Sequence, residues 1–265
     1  MKRVVYLSSI LILVLFVGCQ KSASSQFPNG RIVDLSHSFD SQTIYWPTEE
    51  GFKLEKEHDG VTPQGYYYAS NKFCAPEHGG THIDAPRHFA VSANALDQIP
   101  LDQLIGNGIV IDVTRQSEAN RDYLVSADDF ANWEKQNGQI PNGAIILLRT
   151  GLAKYWPDRV KYMGTDERGE GAVAKLHFPG LSPEAARWLS INRQIKAIGL
   201  DTPSIDYGQS TTFDTHQILY AKNIPAFENV GDMSALPAKG FWVIAMPMKI
   251  GGGSGGPLRI AAIVP

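Results

Sequence analysis

The chain has 265 residues, 43% of them hydrophobic and 19% charged, with a formal net charge of −3. That composition is globular and excludes a disordered chain. The small negative charge leaves no basic footprint for nucleic acid, and the length suits one large domain or two small ones.

The N-terminus reads as a targeting segment. Met1-Lys2-Arg3 is basic, Val4 to Val17 is almost wholly apolar, and Gly18-Cys19 follows. The apolar stretch is shorter than the roughly 20 residues that span a bilayer, so residues 1–18 are expected to be a signal peptide. Leu15-Phe16-Val17-Gly18-Cys19 resembles a bacterial lipobox, with Phe16 where Leu is usual, and makes Cys19 the candidate lipidation site. An ordinary cleaved signal with an incidental cysteine is the other reading. Both imply export. The lipidated form predicts a cell-envelope protein anchored to a membrane, facing the periplasm in a Gram-negative cell. Residues 19–30 read as a flexible tether, and residues 31–265 as the folded domain. With Cys19 consumed, Cys74 stands alone and no intrachain disulfide is expected.

Arg31 to His37 alternates as a strand does. His37 could approach a site, but reads first as a polar loop residue. Tyr45-Trp46-Pro47 is an aromatic turn, and Tyr66-Tyr67-Tyr68 has strand propensity. The densest chemistry follows. His78, His82, Asp84 and His88 are spaced by 4, 2 and 4 residues, and on an extended backbone even spacing points side chains one way. Gly79-Gly80 weakens a helix, and Pro86 disfavours the helical conformation at Ala85. An extended strand or loop is therefore expected, with three imidazoles and a carboxylate converging on one point. That donor set suits a borderline divalent metal such as zinc or manganese. A solvated histidine tract is the plainer alternative, and the apolar neighbours Ile83 and Phe89 argue against it.

Downstream, Gly108–Val113, Ala144–Leu148 and Ala197–Asp201 are short apolar runs, as buried strands are. Ser126 caps a predicted helix running to Asn137 and stopping at Gly138. Ser182, with Pro183 at the first helical position, opens another to about Ile191. The turn Asp201-Thr202-Pro203-Ser204 supplies either site residues or ordinary turn formers. Thr215 to Lys222 is predicted helical, and Phe241–Met246 and Leu258–Ile263 are the last strands. The glycine-rich run 251–256 between them has no following Lys-Ser/Thr and opens no helix, so it reads as a tight loop near the site rather than a phosphate cradle. Together these elements predict a single α/β domain with a mixed, barrel-like sheet and peripheral helices.

The window His-x-Gly-Thr-His-x-Asp-x-Pro-x-His resembles, without mismatch, the signature of the metal-dependent cyclase family, which includes kynurenine formamidase (arylformamidase) and isatin hydrolase. The resemblance covers about Arg31 to Pro265 and implies the same barrel-like fold. It also implies one or two divalent ions per chain, zinc or manganese, and a homo-oligomer, dimer or tetramer. It places His78, His82 and Asp84 on the first ion, leaving a position for water. It places a second ion on a later His and a Glu twelve residues on, the spacing of His216 and Glu228, with Asp84 bridging. Trp46 would help wall the substrate pocket. His88, beyond the turn at Pro86, would be free for general acid–base work. The implied reaction lowers the pKa of water from about 15.7 towards 7 at the metal, attacks an amide carbonyl, and uses His88 to protonate the leaving nitrogen. An aryl formamide of the N-formylkynurenine type is the first expected substrate. A cyclic amide or lactone is the second, and a lipoprotein that only binds metal or solute is the third reading. His88 argues against the third, because a binding protein needs no proton relay.

Overall fold

The computed structural model describes residues 29–265. The expected signal segment, the lipidation site Cys19 and most of the tether lie outside the described residues. The ordered chain begins with β1 (Arg31–Asp34), shorter than the sequence pattern suggests, and continues into a long hairpin of β2 (Lys53–Val61) and β3 (Tyr67–Cys74). The remaining strands are β4 (His82–Asp84), β5 (Ile105–Asp112), β6 (Leu124–Val125), β7 (Ala144–Arg149), β8 (Gly180–Leu181), β9 (Ile195–Leu200), β10 (Ala226–Glu228), β11 (Lys239–Pro247) and β12 (Gly255–Val264).

Seven of these strands close into a ring in the order β12-β11-β5-β7-β9-β10-β4, with β4 pairing back onto β12 and β1 added outside. The β5–β7–β9–β10 run is parallel and the other pairings are antiparallel. The parallel strands are the continuous apolar runs of the sequence, because they are covered on both faces. Inside the ring, one apolar cluster draws on every strand of it: Ile83, Val110, Leu147, Ala197, Phe227, Val243 and Ile260 among others. The lumen is thus a packed core and not a channel.

A second apolar cluster lies outside the ring wall. There Ile109, Ile146, Ile198 and Ala226 meet the helices α2 (Ala127–Asn137), α5 (Pro183–Asn192) and α6 (Asp214–Tyr220). The short helices α1 (Thr114–Ala119), α3 (Arg159–Met163) and α4 (Glu170–Val173) complete the set among the described residues. Both predicted caps form. The Ser126 hydroxyl and backbone N–H both donate to Asp129 at 2.9 and 2.8 Å, and Ser182 accepts from the Ala185 N–H at 3.1 Å. Caps of this kind stabilise a helix by about 1 kcal/mol each.

The β2–β3 hairpin belongs to neither cluster. Among the described residues it pairs only with itself, and it leaves Leu54, Val61, Tyr67 and Phe73 49–71% exposed. Its base is held by an aromatic row, Phe39–Phe52–Phe73, with ring centroids 5.8 and 5.7 Å apart.

Candidate metal centre and active site

The ring closes at β4, a strand of three residues paired to β10 on one side and β12 on the other. Pairing sets the chemistry. Ile83 stands opposite Phe227 and points into the lumen with it, so His82 and Asp84 point outward. Glu228 stands opposite His82 and shares that outward face. Helix α6 lies over it and brings His216 and Tyr220, both buried. The centre therefore sits between the barrel wall and α6.

The parity argument accounts for His82 and Asp84 alone. His78 and His82 do not share one extended strand, because Gly79 and Gly80 have φ of +156° and +58°. A side chain at Gly79 would enter the Tyr45 ring, and one at Gly80 would meet the Phe39 ring at 2.6 Å. The double glycine lets the chain fold so that His78 returns over the end of β4. His88 leaves the strand as well, on a 3₁₀ turn Pro86–His88. The histidines and the aspartate converge as expected, but by a turn at each end of a short strand.

Each of three imidazoles has its outer nitrogen committed. His82 Nδ1 donates to the Gly80 carbonyl at 3.0 Å. His216 Nδ1 donates to Asp206 Oδ2 at 2.5 Å. His78 Nε2 is 2.9 Å from the Ser254 hydroxyl. Their inner nitrogens then face carboxylate oxygens. His78 Nδ1 is 2.7 Å and His82 Nε2 3.2 Å from Asp84 Oδ1. His82 Nε2 is 3.4 Å from Glu228 Oε2, and His216 Nε2 is 3.4 Å from both Asp84 Oδ2 and Glu228 Oε1. A neutral imidazole whose outer N–H is donated presents only a lone pair inward. Lone pairs facing carboxylate oxygens in a buried place call for a cation between them.

Two triads meet that demand: His78, His82 and Asp84, and Asp84, His216 and Glu228, the ligand atoms of each lying within 4.8 Å of one another. Asp84 belongs to both. Its own burial opposes the charge, but the His78, His216 and His82 rings hold the carboxyl well below the usual range. Glu228 goes the other way, pushed up by burial and by the Asp84 charge beside it. Tyr220 donates to Asp84 Oδ2 at 2.8 Å, and the Ile205 N–H donates to Glu228 Oε1 at 2.7 Å. The donor set of imidazole and carboxylate fits zinc or manganese.

His88 stands apart from both triads. Its Nε2 is 4.0 Å from Asp84 Oδ2, and its ring stacks on His78 with centroids 3.8 Å apart. Burial, reinforced by the neighbouring imidazoles, pushes its pKa down to about 4 against the pull of Asp84. It is a neutral imidazole at the floor of the cavity above the centre.

That cavity holds about 350 Å³ and is lined by Ile44, Tyr45, Trp46, Phe89 and Phe213 around the histidines. Among the described residues no lysine or arginine lines it. Trp46, expected as a wall, lies 6.4 Å from Phe178 and 6.5 Å from Phe213, centroid to centroid. His37 does not reach the cavity; it stacks on Trp156 at 4.1 Å. The turn after β9 divides. Pro203 and Ser204 line the cavity, whereas buried Asp201 pins a neighbouring loop by accepting the Thr150 and Gly151 N–H groups at 2.7 and 2.8 Å. Sequence reasoning missed Glu77, Asp206, Phe213 and Ser254. Asp206 lay ten residues from His216 with no motif to mark it, and Ser254 lay inside a run read only for its glycines.

Three comparisons bear on what this centre belongs to. The family model described as "Putative cyclase" matches residues 33–207. Isatin hydrolase of Roseibium aggregatum is 32% identical over 90% of this chain and 88% of its own, and kynurenine formamidase of Salinibacter ruber is 26% identical over 86% and 95%. The solved structure of isatin hydrolase A from Labrenzia aggregata, bound to benzyl benzoate, superposes with a TM-score of 0.79 at 31% identity, covering 88% of this chain and 93% of that one. With that match over most of its length, a closed barrel of the same form and a buried histidine–carboxylate cluster, the chain belongs to the cyclase family and is a metal-dependent hydrolase.

Proposed function

We propose that the protein hydrolyses the ring amide of a small, neutral, aromatic cyclic amide of the isatin type. The observation that carries the substrate class is the lining: flat aromatic walls and no cationic side chain. A ring of two fused cycles needs only stacking surface. N-formylkynurenine also carries an amino-acid head, whose carboxylate would want an arginine or lysine partner. The aryl formamide remains the second reading, favoured by the kynurenine formamidases among the relatives.

In this reading His78, His82 and Asp84 hold one divalent ion, and Asp84, His216 and Glu228 have the donors for a second. An ion held there supplies Lewis acidity and brings the pKa of water from about 15.7 towards 7. The remaining work belongs to side chains. Trp46, Phe89 and Phe213 wall the cavity around the ring and exclude water. His88, neutral and 4.0 Å from Asp84, takes up a proton at Nε2 and returns it to the departing ring nitrogen. A metal assay followed by a screen of isatin, formanilides, N-formylkynurenine and lactones tests the assignment. Isatin as the substrate with the highest kcat/KM is expected; N-formylkynurenine at the top would reverse the order.

We also propose that the chain pairs with a second copy through the β2–β3 hairpin. The hairpin carries Lys53, Lys56 and Lys72 against Glu55, Glu57 and Asp59, so it has no net charge from these groups to draw a polyanion or an anionic membrane. Its exposed apolar residues Leu54, Val61, Tyr67 and Phe73 share the hairpin with those charges, as an isologous contact allows. Export and lipid anchoring at Cys19 complete the proposal. Cys19→Ser should release the protein from membrane fractions and abolish fatty-acid labelling; unchanged fractionation and labelling would remove the anchor.

A further inference from the structure

The glycine-rich run before β12 carries one side chain, Ser254, and it stands in a chain of hydrogen bonds that ends on the centre. We infer that Glu77 and Ser254 are positioning residues that fix His78 in the tautomer that offers Nδ1, and not Nε2, to a metal. This rests on the metal-centre reading given above.

Four distances make the argument. The Ser254 hydroxyl donates to Glu77 Oε2 at 2.6 Å, and the same oxygen accepts the Ser254 N–H at 3.0 Å. A hydroxyl has one proton. Having donated it to a carboxylate, Ser254 Oγ can only accept from His78 Nε2, 2.9 Å away. His78 Nε2 therefore carries the hydrogen, and Nδ1 is left as a lone pair towards Asp84 Oδ1 at 2.7 Å. His82 and His216 are fixed in the opposite sense, donating from Nδ1 and presenting Nε2. The centre thus needs a different device for His78, because this ring enters from the loop side and not from the strand.

The loop is built to hold that device still. Ser254 O accepts the Ala85 N–H at 2.8 Å, Gly253 O accepts the Leu96 N–H at 2.9 Å, and the Gly252 N–H donates to Asp97 at 2.9 Å. The backbone is packed so closely on the ring that a Cβ at Gly255 would sit 2.5 Å from His78 Cε1. A serine hydroxyl held on so many sides costs little further ordering when His78 binds. Outer partners of metal-bound histidines typically contribute 10–100-fold in metal affinity.

The test is metal affinity of the full chain, stripped by chelator and titrated with Mn²⁺ or Zn²⁺ in calorimetry, alongside long-range ¹H–¹⁵N spectra of the imidazoles. Ser254→Ala should bind the ion about 10–100-fold more weakly, Ser254→Thr should recover much of the loss, and Glu77→Gln should fall between. In the zinc-loaded spectra, His78 should carry its hydrogen on Nε2 in the native protein, and Ser254→Ala should lose the slowly exchanging Nε2–H signal. Native-like affinity and an unchanged His78 Nε2–H signal in both Ser254→Ala and Glu77→Gln would overturn the assignment. If Ser254→Ala does not fold, the same readings on Glu77→Gln decide. A native chain that takes up no metal would fail differently, by overturning the metal-centre reading itself and this assignment with it.

Discussion

The β4 strand and the β2–β3 hairpin are opposites. β4 is three residues long, wholly buried, and hydrogen-bonded on both edges. The hairpin offers nine and eight residues, almost all exposed, and each strand has one partner. Strand length does not decide which is rigid. β4 is fixed because it closes a ring, so moving it would open two ladders and expose the Ile83–Phe227 contact to water. The hairpin is tied only through the aromatic row at its base, and an isolated two-stranded hairpin is marginal in water. The chemistry is placed on the element with two partners, where donors are held in one geometry before a ligand arrives. The element with one partner is left free to find another.

The largest effect expected at the β4 end comes from Asp84→Asn. Asp84 is common to both triads and accepts from Tyr220, so the substitution removes one negative charge from each candidate site at once. Metal content after gel filtration, read by elemental analysis, should fall from stoichiometric to background, and activity with it. Stoichiometric metal in Asp84→Asn would detach the strand from the function given to it. His88→Ala comes next and separates the relay from the ligands. Metal should stay, and turnover should fall by about 10²–10⁴-fold, the usual contribution of a positioned acid–base group. The loss should be greatest for amides, whose nitrogen cannot leave unprotonated, and smaller for activated esters. An equal loss for both would move His88 from the leaving group to the attacking water.

Much of the β4 side was readable from sequence because its donors are neighbours in the chain. Seven positions from His78 to Asp84 carry one triad, and the motif there marks the family. The reason offered for their convergence was only half correct, since double glycine and a 3₁₀ turn replace one continuous strand at either end. The parallel strands β5, β7 and β9 were readable because burial on both faces leaves unbroken apolar runs. By contrast, β10 is three residues long and paired at long range, so it has no period to detect. The cavity wall is assembled from Trp46, Phe89 and Phe213, whose separation in sequence hides their meeting. The hairpin was invisible at β2, where Lys53 to Val61 is mostly charged, and was glimpsed only in Tyr66–Tyr68.

A moderate effect is expected where the ring meets the glycine-rich loop. Gly255 faces Asp84 across the β4–β12 ladder, and a Cβ there would also lie 2.7 Å from the Ile83 carbonyl. Backbone cannot yield as a long side chain can. Gly255→Ala should therefore destabilise the protein by about 1–3 kcal/mol, as overpacking does, and should weaken metal binding through the displaced His78 ring. A thermal midpoint within error of the native one would show that the seam is looser than its contacts indicate.

The smallest effect on stability, and the one that bears most on the hairpin, should come from replacing Leu54 and Val61 together by serine. They are 60% and 71% exposed and touch no core cluster. In the isolated chain they contribute only cross-strand pairing, Leu54 with Phe73 and Val61 with Tyr67, worth about 0.2–1 kcal/mol per pair. The thermal midpoint of dilute protein should hardly move. If a second copy covers these side chains, each buries apolar surface that would otherwise stay in water, at about 25 cal/mol per Å². A combined loss of about 1.4–2.8 kcal/mol would raise the dimer dissociation constant about 10–100-fold. Sedimentation velocity over a concentration series measures this directly, and the native midpoint should rise with concentration while that of the variant stays flat. Amide exchange gives an independent reading: hairpin N–H groups should be protected in concentrated native protein and exchange freely in the variant. Equal association of the two proteins would leave the hairpin without its second copy, and with it the explanation of why an apolar arm stays exposed.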